Sequence, residues 1–336
     1  MFLRGLQPWN GTLIAFSLAV LLIPSNAFAQ SIGTSAVPSF TLSLSPQYPA
    51  PESTATISVL STVLDIANTS MHVTVGGKPV YDGNVQPVAV AVGAGGSSTS
   101  VVVTLTSLGA TYTKSISITP QDVSLVAEPQ SSAPPLYPGK PRVPQGGTTR
   151  VVAIADLHTA RGAALDPAAL SYAWTVDGTA LDSSSGIGKD ALMVSSPLQY
   201  RARTVSVVAE SQDGAYVGSA SLTLSPEDPS VRLYEEDPLL GILYDHALSG
   251  TYAITGSEAT LYAAPFSFPT NSGAPQLEWF LNGSSAQIGP TVTLRPTGSG
   301  QGSANVSLTA SSGSFLSATA AVLMQFGTKS TSIFGL

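Results

Sequence analysis

Leu170-Ser-Tyr-Ala-Trp-Thr-Val-Asp-Gly178 alternates apolar and polar side chains and then stops on Asp-Gly. A period of two is the mark of a half-buried strand. Asp-Gly supplies the two left-handed residues of a tight hairpin turn. The stretch reads as one strand with Tyr172 and Trp174 on its buried face, followed by a turn at Asp177 and Gly178. The phrase returns as Gln276-Leu-Glu-Trp-Phe-Leu-Asn-Gly283, with Trp279 as core residue and Asn282 and Gly283 as turn. Trp174 and Trp279 lie 105 positions apart, and each precedes its turn glycine by four. An Ile-Gly pair follows each turn, Ile187-Gly188 and Ile288-Gly289, and then a strand-like run closed by Pro197 or Pro296. Val73-Thr-Val-Gly-Gly77 is a weaker first copy, with Val73 where the Trp stands. The chain is built as an array of similar β-modules.

Composition agrees with strands. Charged residues make up 10% of the 336, against about 25% in an ordinary soluble protein, while 43% are hydrophobic. Intrinsic disorder needs the reverse, low hydrophobicity with high net charge. A net charge of −7 with no basic stripe argues against nucleic acid as a partner, because phosphate neutralisation by Lys and Arg supplies most of that affinity. It also disfavours an anionic membrane surface. With no cysteine, disulfides, thiolate metal sites and a Cys nucleophile are excluded. Each module must hold itself by its own apolar core.

The N-terminus has the layout of a secretory signal peptide. Arg4 is followed by an apolar run over 12–23, a helix break at Pro24 and an Ala27-Phe-Ala29 cleavage site. The alternative is an uncleaved anchor, for which the run is short. No later segment reads as a transmembrane helix. The expected divisions are a signal peptide over 1–29, a first sandwich over 30–122 and a Pro-rich linker with the first strand of module 2 over 123–147. A second sandwich over 148–228, a third over 229–326 and a tail over 327–336 complete the chain. Six prolines between 128 and 147 favour an extended, semi-rigid spacer. Asp166-Pro-Ala-Ala-Leu170 fits one helical turn ahead of the Trp strand, and 315–324 reads as a last buried strand.

Short strands, frequent turns and no helical periodicity define the fold class as all-β, a tandem set of antiparallel β-sandwiches. The Tyr172-Ala-Trp174 strand with its Gly turn resembles the middle strand of PKD-like and related bacterial Ig-like repeats. The layout as a whole, with its Tyr-Glu-Glu-Asp-Pro238 phrase and Phe-Gly near the C-terminus, is similar to uncharacterised exported Ig-like proteins of candidate-phylum bacteria. That resemblance implies an envelope or cell-surface role, beside pilus machinery, and brings no catalytic residues.

Several constellations invite chemistry. Glu235, Glu236, Asp237 and Asp245 form the densest acidic cluster, at the junction of modules 2 and 3. Such oxygens could hold calcium, but their spacing matches no calcium loop, and a solvated acidic linker is the plainer reading. His72, His158 and His246 stand one per module, without a second ligand at zinc spacing. No G-x-S-x-G, S-x-x-K, H-E-x-x-H or phosphate-loop motif occurs. No enzymatic activity and no cofactor are expected. Tyr172, Trp174, Trp279 and Phe280 could make a sugar-stacking platform, though a core role for the two Trp is the stronger reading. Asn68, Asn282 and Asn305 begin glycosylation sequons. The function expected is a non-enzymatic structural, spacer or adhesion protein. It would be exported to the periplasm, cell surface or medium, with envelope or extracellular proteins as partners. The alternative is a carbohydrate- or ligand-binding extracellular module.

Overall fold

The computed structural model describes residues 39–254, 256–297 and 301–327. The signal peptide and leader, and the tail beyond Gly327, lie outside them. Three apolar clusters divide the rest, one within 40–118, one within 123–224 and one within 231–326.

Module 1 has β1 (Thr41–Ser45), β2 (Thr54–Leu60), β3 (Ser70–Val75), β4 (Lys78–Asn84), β5 (Val88–Ala91), β6 (Thr99–Ser107) and β7 (Ala110–Ile118). They pair as two facing sheets, β1-β2-β5 and β4-β3-β6-β7. Alternation along β6 places Val101, Val103 and Leu105 in the core with no exposure at all. This is an Ig-like sandwich whose fourth strand lies on the same sheet as the third. In constant-type Ig domains that strand belongs to the other sheet.

Module 2 repeats the plan. Its strands are β8 (Asp122–Pro129), β9 (Thr148–Asp156), β10 (Ser171–Val176), β11 (Thr179–Ala180), β12 (Gly186–Ile187), β13 (Ala191–Ser195), β14 (Arg203–Glu210) and β15 (Val217–Leu224). They form β13-β9-β8 and β11-β10-β14-β15, with β12 attached to β10. The helical turn before β10 is a single 3-10 turn, Pro167–Ala169. Asp166 caps it by accepting the Ala168 N–H at 3.0 Å.

Module 3 has β16 (Ser230–Asp237), β17 (Gly241–Ile242), β18 (Gly250–Ile254), β19 (Ala259–Phe266), β20 (Gln276–Leu281), β21 (Ser284–Ile288), β22 (Thr291–Leu294), β23 (Gly302–Ser312) and β24 (Leu316–Phe326). Its sheets are β17-β16-β19-β22 and β18-β24-β23-β20-β21. One pair departs from the antiparallel rule. β18 runs parallel to β24, because the chain leaves β16, makes a hairpin with β17 and crosses to the other sheet. The last strand buries Val322 and Met324, but Phe315, expected within it, sits in the hairpin turn at 96% exposure.

The three copies share the same cross-strand pairing at the central position. Val73 faces Val103, Trp174 faces Val207 and Trp279 faces Leu308 on the neighbouring strand. The turns that follow share one backbone shape. Asp177 and Gly178 have φ of 50° and 78°, Asn282 and Gly283 of 50° and 84°, and Gly76 and Gly77 of 55° and 79°. Asp and Asn tolerate this region because their short polar side chains bond locally. Asp177 Oδ1 accepts the Thr204 N–H at 2.8 Å, and Asn282 Oδ1 accepts the Asn305 N–H at 2.9 Å.

The Pro-rich segment does not separate modules 1 and 2. The link between them is the three residues 119–121, which lie between β7 and β8. Pro129 ends β8, and the other five prolines lie in a loop inside module 2, between β8 and β9. This loop, residues 130–145, crosses to module 3 as a strap. Proline removes ladder donors, but the residues between prolines keep theirs. The Ser132 N–H donates to the Phe268 carbonyl at 2.7 Å, while the Ser267 N–H donates to Ser132 at 3.1 Å and the Thr270 N–H to Gln130 at 3.1 Å.

Leu108 begins the β6–β7 hairpin turn at φ 51° with its side chain 98% exposed. A branched side chain in that region costs roughly 1–2 kcal/mol, and here it packs against nothing that would offset the cost. Leu108→Asn is expected to stabilise module 1 by about 1 kcal/mol. Urea unfolding checks this as a higher midpoint at unchanged slope.

Candidate functional site at the joint of modules 2 and 3

Tyr172, Trp174 and Trp279 lie inside their sandwiches, each at 1% exposure or less. The Trp174 indole N–H donates to the Lys189 carbonyl at 2.8 Å, and that of Trp279 to Gly289 at 2.9 Å. The Tyr172 hydroxyl donates to the Pro167 carbonyl at 3.0 Å. Three of the four residues of the imagined sugar platform are thus enclosed. Phe280 alone is half-exposed, on the opposite face of β20.

The acidic cluster is dispersed by strand geometry. Glu235 and Glu236 are successive on β16 and so point to opposite faces. Glu235 lies beside the Tyr252 hydroxyl. Asp237 accepts the N–H groups of Leu239 and Leu240, both at 2.8 Å, and these bonds hold its carboxyl below the usual range. Asp245 bonds the neighbouring His246 at 2.9 Å, which lowers its pKa in the same way. Among the described residues no three carboxylate or imidazole groups converge as a metal site. Asp237 thus caps the hairpin into β17 and does not join Glu235, Glu236 and Asp245 in one cluster. The other histidines stay apart, His72 beside Asp82 at 3.0 Å and His158 beside Asp156 at 3.6 Å.

The structure does assemble a different group. On β16, Val231 and Leu233 enter the core while Arg232, Tyr234 and Glu236 face outward. On β19 the outward residues are Thr260, Tyr262, Ala264 and Phe266, with Tyr234 opposite Tyr262 and Arg232 opposite Ala264. An outer face ordinarily meets water. Here Ala264 is fully buried and Tyr234 is 6% exposed. Chain from elsewhere covers them. Tyr137 of the strap packs edge-on to Phe266 with ring centres 5.1 Å apart, and Tyr244, beyond β17, packs edge-on to Tyr234 at 5.1 Å. The Tyr244 hydroxyl donates to the Pro135 carbonyl of the strap at 2.9 Å.

Beside this aromatic cluster lies a cleft of about 420 Å³, bordered by Tyr137, Lys140, Arg142, Arg232 and His246. Arg142 grips the Glu227 carboxylate with contacts of 2.5 and 2.6 Å. Burial, reinforced by Tyr262 and Tyr234, pushes the Tyr244 phenol up to about 12. Burial also raises Tyr234 and Tyr262. The cleft offers the aromatic surface of Tyr137, Tyr234 and Tyr244 and the cations of Lys140, Arg142 and Arg232.

Neither the strap nor the cluster is evident from local pattern. The available signal was tyrosine density: four of the chain's eleven tyrosines, Tyr234, Tyr244, Tyr252 and Tyr262, fall within 29 residues.

The high phenol pKa of Tyr244 makes an alkaline prediction. The folded state holds this proton more tightly than the unfolded chain, so the stabilisation is complete below pH 10 and is lost as pH rises through about 12. Urea midpoints at pH 9, 11 and 12 should fall, and Tyr244→Phe should lessen the fall. An equal decline in both proteins would exclude Tyr244 as its source.

The sequence matches no protein-family model and no curated protein. Among solved structures, the three N-terminal domains of the bacteriophage RB49 highly immunogenic outer capsid protein share 14% identity at a TM-score of 0.23, covering 85% of this chain and 99% of that one. The central fibronectin-III array of RIM-binding protein shares 10% identity at a TM-score of 0.29, covering 89% and 100%. SGBP-B of the Bacteroides ovatus mixed-linkage glucan utilization locus, in complex with a mixed-linkage heptasaccharide, shares 13% identity at a TM-score of 0.23, covering 86% and 70%. Scores this low carry no argument, and the Ig-like assignment rests on the strand pairing described above.

Proposed function

We propose that this chain is an exported, non-enzymatic structural or adhesion protein of the cell envelope or cell surface, acting through protein contacts of its Ig-like modules. The observation that carries this reading is the fastening of successive modules. The strap of module 2 is hydrogen-bonded along 267–270 of module 3. At the other joint the buried Gln121 amide clasps His158, donating to its carbonyl at 2.9 Å and accepting its N–H at 2.7 Å. Links of three and five residues leave little slack between strands of successive modules. Such fastening suits a protein that presents sheet edges and end loops to a partner at a set spacing. Export rests on the signal-peptide pattern at the N-terminus.

Two measurements test this. Cross-linking on intact cells, followed by mass spectrometry, is expected to recover envelope or filament proteins attached to the chain. Recovery of the chain only from the cytoplasmic fraction, with its first 29 residues intact, would overturn the reading. Small-angle scattering tests the fastening. Ser132→Pro removes the N–H and hydroxyl that bond Phe268, each bond being worth about 1 kcal/mol. Together with Gln121→Ala it should enlarge the maximum dimension while leaving the melting of the individual modules nearly unchanged.

A further inference from the structure

We propose that the cleft between the strap and the outer face of β16 and β19 binds acidic sugar residues of an extracellular polysaccharide. Arg232 and Lys140 would receive the carboxylate, and Tyr137 would receive the face of the ring. The polysaccharide source rests on the export reading above; the binding chemistry does not.

Charge is the first support. The chain carries a net charge of −7 with 13 Lys and Arg in all, yet Lys140, Arg142 and Arg232 border this one cleft. Its two carboxylates are engaged, Glu227 by Arg142 and Asp245 by His246. Among the described residues Lys140 and Arg232 take part in no ion pair. The cleft is therefore a local positive site on an acidic protein, and an Arg fork matches a carboxylate in two parallel hydrogen bonds.

Shape is the second. A volume of about 420 Å³ falls within the range of small-ligand sites. Tyr137 keeps 38% of its surface exposed while its edge-on contact with Phe266 fixes the ring. A held, half-exposed aromatic ring is a surface on which the C–H face of a sugar can lie. Ser132, Ser230 and Ser267 add hydroxyls at the border.

An acidic peptide is the competing ligand, and the topology disfavours it. Peptides commonly join a free strand edge. Here β16 is paired by β19 along 230–235, and its other edge is occupied from Leu233 to Asp237 by the segment 241–248. The cleft thus lies over a sheet whose edge is largely occupied.

The experiment is gel retardation and calorimetry of the full chain with polygalacturonate, dextran and polyglutamate. Retention by polygalacturonate alone is expected, with the double variant Lys140→Gln/Arg232→Gln weakening it at least tenfold. Lys114→Gln, at an exposed lysine of β7 in module 1, should bind as the parent does. Absence of retention, equal retention by dextran or by polyglutamate, or an equal loss in Lys114→Gln would each overturn the proposal. Because these assays use purified protein, a negative result would not touch the export reading, and failure of cross-linking would not touch the cleft.

Discussion

In modules 2 and 3 the buried tie between the two sheets is the indole N–H of the central tryptophan, while Arg203–Ser195 and Gln287–Thr291 bonds join them in exposed positions. Trp174 sits on β10, and its bond goes to Lys189, just ahead of β13 on the facing sheet. Trp279 on β20 does the same to Gly289, just ahead of β22. A buried indole needs an acceptor, since an unmade hydrogen bond in an apolar interior costs about 1–3 kcal/mol. Satisfying it fixes the height at which the chain crosses between sheets. The Ile-Gly pair after each hairpin now has a reason, because Gly188 and Gly289 take φ of 68° and 135° in that crossing. Module 1 has no such tie. Val73 replaces the indole, and Phe40 and Met71 fill the core instead.

With so few charges, the outer sheet faces are finished by hydroxyl pairs. Thr104 meets Thr113 at 3.2 Å, Ser206 meets Ser221 at 3.0 Å and Thr260 meets Thr293 at 3.0 Å, each pair directly opposed across two strands. These short side chains lose little rotamer freedom on ordering and still offer donors and acceptors to water. Cross-strand Thr and Ser pairs contribute roughly 0.2–1 kcal/mol each. The composition is thus the surface chemistry of strands spelled in Ser and Thr.

The strands, the repeats and the turns were legible because each depends on neighbours in sequence. Alternation at 170–178 assigns faces, and Asp-Gly or Asn-Gly assigns the turn. What escaped depends on distant chain. Alternation says that Tyr234 and Phe266 point outward, but it cannot say that Tyr244 and the strap's Tyr137 will pack on them. Prolines announce that the strap is extended; they do not announce the Ser132–Phe268 pairing. The parallel β18–β24 pair was hidden for the same reason, since its partners are about 70 positions apart and local pattern carries no direction of pairing. Adjacency in a strand also places the side chains of the acidic phrase at 235–237 on alternate faces, so density in sequence is not density in space.

The strap also sets an order of assembly. It belongs to module 2, which is synthesised ahead of module 3. Domains tend to fold as units in that sequence. When β16 and β19 emerge, the segment that will cover Phe266 and hold the Tyr244 hydroxyl is already anchored between two paired strands. Module 3 thus completes its outer face against an existing template. Cut away from its predecessor, it would keep its own core and present an uncovered aromatic face. The two modules are separate sandwiches in architecture and one unit in biogenesis.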